Sequence, residues 1–134
     1  MSVQAPSKPT QKQTGKMLIE LHRRVASISD QYNTVDPGEK KLQEELNELR
    51  WKLRRTKTGE DGRDKLKHRK EVVERRLSLK QDARRRELNS AIIIARDFRR
   101  GLENRHSISA DATRGAVTSA RNGLPGPIVT TLLS

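Results

Sequence analysis

Apolar side chains recur along this chain at steps of three and four, the period of a helix face and not the alternation of a strand. Leu18, Leu21, Val25, Ile28 and Tyr32 form one such seam and predict a helix over about 15–32. Asn33 and Thr34 weaken it. Asp36-Pro37-Gly38-Glu39 then reads as a helix start. Asp36 can accept from the first backbone amides, and Pro37 has no amide hydrogen to leave unpaired. Glu39 stands where it can bond back to the cap. Leu42, Leu46, Leu49 and Leu53 carry this second helix to about residue 57. Thr58-Gly59-Glu60-Asp61-Gly62 is a turn, short enough that the next helix must fold back as an antiparallel partner. That third helix runs over about 63–103, and at 1.5 Å per residue it would reach ~60 Å, twice what the second could cover.

The third helix is uneven. Leu66, Val73 and Leu77 form one apolar stretch, and Leu88, Ala91, Ile92, Ala95, Phe98 and Leu102 form another. Between them, Arg84 falls on the line that joins the two, so the middle of this helix cannot be a dry seam. Ile92-Ile93-Ile94 is apolar around more than half the circumference, and a second copy of the chain is its expected cover. Leu18, Leu21, Val25, Ile28, Ile92 and Ile93 are therefore the candidate residues of a homodimer or higher oligomer. Residues 1–14, rich in Pro, Ser, Thr, Gln and Lys, read as a disordered arm. Residues 104–134 read as a flexible tail, with room for a short helix near 109–121. Gly123-Leu124-Pro125-Gly126-Pro127 reads as a break, and Ile128, Val129, Leu132 and Leu133 as a frayed apolar tip. The expected fold is thus all-α. It is an elongated helical hairpin or coiled-coil-like bundle of about three helices spanning 15–103, with a disordered tail at each end.

Composition sharpens this picture. Of 134 residues, 31% are hydrophobic and 34% are charged, so a lone compact monomer has little to bury against its chain entropy. There is no cysteine, which removes disulfides and thiolate metal sites. No apolar run approaches the ~20 residues that span a bilayer, and an intracellular location is expected, cytoplasm before nucleus. His22, His68 and His106 lie far apart without ligand spacing, so no metal or cofactor is expected. No Gly-rich phosphate loop and no nucleophile–base grouping is evident either, and a binding protein is expected rather than an enzyme. Trp51, beside the second seam, reads as a packing anchor.

Charge is the strongest chemical signal. The net charge is +12, and by linear position residues 1–49 are neutral while residues 50–106 hold +11. Such asymmetry suggests a polyanion-binding part joined to a part with another job. Arg54, Arg55 and Lys57 close the second helix, and Arg63, Lys65, Lys67, Arg69 and Lys70 open the third across the turn, so that in a hairpin the two groups meet at one end and raise the local positive potential. Arg75, Arg76, Lys80, Arg84, Arg85 and Arg86 extend the charge. Lys65, Arg69, Arg76 and Lys80 lie within about 60° of one another on a helix and can follow a phosphate backbone. Few aromatic residues are available as stacking platforms, and the basic region follows the heptads instead of preceding them as in zipper-type DNA binders. Double-stranded RNA, which is bound by shape and phosphate contacts, suits a rigid basic helix pair best and is favoured over DNA.

In size, charge and hairpin the chain resembles the small basic all-helical silencing suppressors of RNA viruses. That resemblance implies a dimer that sequesters double-stranded RNA. Leu46-Asn47-Glu48-Leu49-Arg50 before a Gly-containing turn and a basic helix is similar to the helical hairpin of a ribosomal protein. The competing reading is a coiled-coil adaptor whose basic half contacts an acidic protein or an anionic membrane. In it, the first half or the C-terminal tip docks a protein partner.

Overall fold

The structure, a computed structural model, describes residues 9–134. It is all-α, with helices α1 (Gln11–Asn33), α2 (Pro37–Arg55), α3 (Arg63–Arg105), α4 (Ala110–Ala120) and α5 (Gly126–Leu133) and no strand among the described residues. The chain divides into two compact units, one of Met1–Asn33 with Leu88–Ser134 and one of Thr34–Glu87. The single domain expected over 15–103 is therefore not the unit of packing, because α3 contributes its two apolar stretches to two separate cores.

The first unit is a four-helix core. Leu21, Val25 and Ile28 of α1 pack with Ile92, Ala95 and Leu102 of α3, Val117 and Ala120 of α4 and Leu132 of α5. Leu18 packs at the edge of the same cluster. The α1 seam is real, but the chain covers it with its own helices, so it is not an open oligomerisation face. The same holds for Ile92, whereas Ile93 stays 46% exposed and Ile94 is exposed beside it.

The helix begins earlier than the apolar seam does. Thr10 accepts from the Gln13 amide at 3.2 Å, and the Gln13 side chain accepts from the Thr10 amide at 2.9 Å. This reciprocal capping box places residues 11–14 in helix, so they are not part of a disordered arm. The rest of that expected arm, residues 1–8, lies outside the described residues.

The expected C-terminal tail is two packed helices. Ser109 caps α4, its hydroxyl accepting from the Ala112 amide at 3.2 Å. Ala112, Thr113, Ala116, Val117 and Ala120 then give α4 a face of small residues, and its backbone comes within 8 Å of that of α1. Pro125-Gly126-Pro127 starts α5 where a break was expected, because a proline in the first turn lacks only an amide hydrogen that would be unpaired there. Val129 and Leu132 turn into the core. Arg99, 6% exposed, fastens the end of α5. Its Nε donates to the Leu132 carbonyl at 2.7 Å, while its other nitrogens donate to the Ser134 carbonyl and to Glu103. Thr113 donates to the second Glu103 oxygen at 2.9 Å, tying α4 into the same network.

The second unit is the expected antiparallel hairpin of α2 with residues 63–87 of α3. Its core is small: Leu46, Leu49, Val73 and Leu77, flanked by Leu42 and Leu66. The turn between the helices needs two left-handed backbones, supplied by Gly59 (φ 89°) and Gly62 (φ 88°). Asp36 caps α2 as expected, accepting from Gly38 at 2.7 Å and Glu39 at 3.3 Å. Glu39 does not close the box. Its carboxylate instead accepts from Arg84 at 3.1 Å, and Arg84 also donates to the Thr34 carbonyl.

Candidate nucleic-acid interface

Folding redistributes the charge that looks one-sided along the sequence. The Thr34–Glu87 hairpin holds eighteen Lys/Arg and twelve Asp/Glu, net +6, because it takes in the acids of α2, of which Glu39 and Glu45 pair with Arg84 and Arg69 of α3. Residues 1–33 and 88–134 hold eleven against five, also net +6. Within the hairpin the excess is polarised. Residues 50–70, at the turn end, hold ten Lys/Arg and three Asp/Glu, net +7, and the rest of the hairpin is net −1.

A cleft of about 390 Å³ opens at that end, lined by Arg50, Leu53 and Arg54 from α2 and Arg63, Lys67 and Lys70 from α3. Five cations line it and no carboxylate does. They converge for a geometric reason. Arg50 and Arg54 are one turn apart on α2, Arg63, Lys67 and Lys70 share one flank of α3, and the hairpin brings the two rows face to face. Arg63 is committed to structure, since its Nη1 donates to the carbonyls of Leu53 at 3.0 Å and Thr56 at 2.6 Å and satisfies the open end of α2. Lys70 lies 3.6 Å from Glu74. Arg50, Arg54 and Lys67 are not in ion pairs among the described residues. Like charges held this close, three of them without an ion-pair partner among the described residues, raise the local positive potential and favour an anion in the cleft.

The sequence-derived basic residues are thus not one surface. Arg69 is held by Glu45 of α2 at 2.6 Å, and Lys65, Arg76 and Lys80 share its flank of α3, away from the cleft. Arg85 sits 3.7 Å from Asp82, and Arg84 is engaged at the start of α2. Arg54, Lys65, Arg75, Arg76 and Arg86 form no ion pair among the described residues. Lys67 and Lys70 belong to the basic group that the sequence placed at this end of the hairpin, whereas Arg50 was overlooked because a linear count does not show which cations face one another.

Trp51 is not the packing anchor that its position suggested. It is 51% exposed, and the Arg55 guanidinium lies 3.9 Å from its ring centre. Leu46, Leu49 and Leu53 define the buried side of α2, and a 100° step per residue turns Trp51 to the opposite side. His22 and His68 are exposed and His106 is half-buried, in three different places. No group of three or more His, Asp or Glu suited to a metal occurs among the described residues. No described helix is long and apolar enough to cross a membrane. Compared with known protein families, curated proteins and solved structures, the chain matches none.

Proposed function

We propose that this chain binds nucleic-acid duplexes without sequence preference, gripping phosphates at the turn end of the α2–α3 hairpin. The observation that carries the reading is the cleft in which Arg50, Arg54, Arg63, Lys67 and Lys70 converge without a lining carboxylate. Arginine forks and lysine ammonium groups donate to phosphate oxygens in any sequence, and nothing in the cleft offers a pattern of acceptors to read base edges. Duplex RNA is the favoured target, because its shape and phosphates can be engaged without base readout.

The test is a binding titration of the full chain against duplex RNA, duplex DNA and a single strand of equal length, each at two salt concentrations. Binding to the duplexes with affinity falling steeply as salt rises is expected. Absence of binding to any of the three at low salt would overturn the reading. Binding only to anionic vesicles or an acidic protein would put the adaptor reading in its place.

A further inference from the structure

Trp51 and Arg55 form an exposed aromatic–cation pair beside the basic cleft, and nothing in the hairpin's packing explains it. Trp51 directly follows Arg50 and stands three residues before Arg54, both of which line the cleft. Trp51 and Arg54, three residues apart, are neighbours on a helix surface with Cβ atoms ~5–6 Å apart, while Arg50 lies about 100° further round. A strand whose phosphates sit on Arg50 and Arg54 therefore carries its next base past the indole. Arg55 lies against the ring and fixes its orientation, while half of the side-chain surface faces solvent.

We propose that Trp51 is a stacking platform for an unpaired base, so that the hairpin end recognises a duplex where it ends in a single-stranded tail. The inference rests on the reading of the cleft as a phosphate site and adds the class of nucleic acid that the site prefers. Phosphate contacts alone do not distinguish a blunt duplex from a tailed one. A stacked base does, because every base has a π-face and its stacking adds to the backbone contacts. The hairpin core has no use for Trp51: its buried residues are Leu46, Leu49, Val73 and Leu77. Its substitution should therefore leave the fold intact.

Trp51 is the only tryptophan in the chain, so its emission reports on this one position. The probes are a blunt RNA duplex, the same duplex with a two-nucleotide unpaired tail, and inorganic polyphosphate. The tailed duplex should quench Trp51 strongly and bind about tenfold more tightly than the blunt one, the scale of one stacked base. Polyphosphate should bind in the cleft with little quenching. By anisotropy of labelled RNA, Trp51→Ala should abolish the tail preference with helicity unchanged, and Trp51→Phe should keep part of it. Arg54→Gln with Lys67→Gln should weaken blunt and tailed duplexes alike. A tail preference that survives in Trp51→Ala, or equal quenching by polyphosphate and tailed duplex, would overturn the inference and leave the cleft intact as a phosphate site. Failure of all three probes to bind would instead overturn the cleft reading, and this inference with it.

Discussion

Single residues show where charge is used for structure and where it is left for a ligand. Asp36 is a structural acid. The backbone amides of Glu39 and Gly38 donate to its carboxylate, and Lys80 and Arg84 lie near it, so its pKa falls below the ordinary aspartate value. A lowered folded-state pKa means that this stabilisation is fully present above the unfolded-state value and is lost as pH falls through the folded one. Asp36→Asn keeps a capping oxygen without the titration. The melting temperature of the wild type should therefore drop relative to Asp36→Asn as pH falls from about 5 toward 2, and a constant difference would contradict the assignment. Arg99 is a structural base. Arg99→Met would leave Glu103 and the Leu132 and Ser134 carbonyls without their donor. An equilibrium urea titration should show a loss of about 3 kcal/mol, as when one member of a buried ion pair is removed. Arg54 and Lys67, by contrast, hold nothing in place and should be replaceable at little cost to stability.

At the scale of helices, periodicity made most of the fold legible. The α2 start was readable because Asp36 and Pro37 are local signals whose physics needs no tertiary partner. The α2–α3 hairpin was readable because Gly59 and Gly62 bound a short turn between two leucine-bearing seams. The last two helices were harder. α4 falls where the sequence left room for a short helix near 109–121, but its packing was not legible, because the burial of its Ala, Thr and Val depends on α1 lying close enough to use small side chains. α5 is only eight residues long and hides its start in Pro-Gly-Pro, residues that break a helix in its interior yet suit its first turn. Because α5 buries Leu132 to 1% exposure, Leu132→Asp should loosen the whole four-helix unit. Limited trypsin digestion should leave Arg114 and Arg121 intact in the wild type. In Leu132→Asp those bonds should be cut at least about tenfold faster, since cleavage tracks local opening. Rapid cutting at both sites in the wild type would restore the tail to this segment.

For the whole molecule, the lesson concerns charge. Residues 50–106 look uniformly basic in sequence, yet the fold assigns them to both compact units and sets α2 acids against α3 bases. The linear contrast between a neutral half and a basic half therefore does not divide the molecule. Five of the six residues assigned to assembly pack in the chain's own core instead, leaving Ile93 exposed. The basic character of the hairpin and the meeting of its cations at the turn end were legible, but which of them line one cleft was not, because that depends on which cations the antiparallel register leaves unpaired. The central claim is that this focus is the phosphate site, and counterion release measures it directly. Duplex affinity should be followed against salt for the wild type, for Arg50→Gln/Arg54→Gln/Lys67→Gln/Lys70→Gln, and for Arg75→Gln/Arg76→Gln. Each lost phosphate contact should lower the log–log slope by about 0.9, so the fourfold cleft variant should lose about 3.6 units and the Arg75/Arg76 variant less than about 1. A wild-type slope in the cleft variant, with the loss in the Arg75/Arg76 variant instead, would contradict the account.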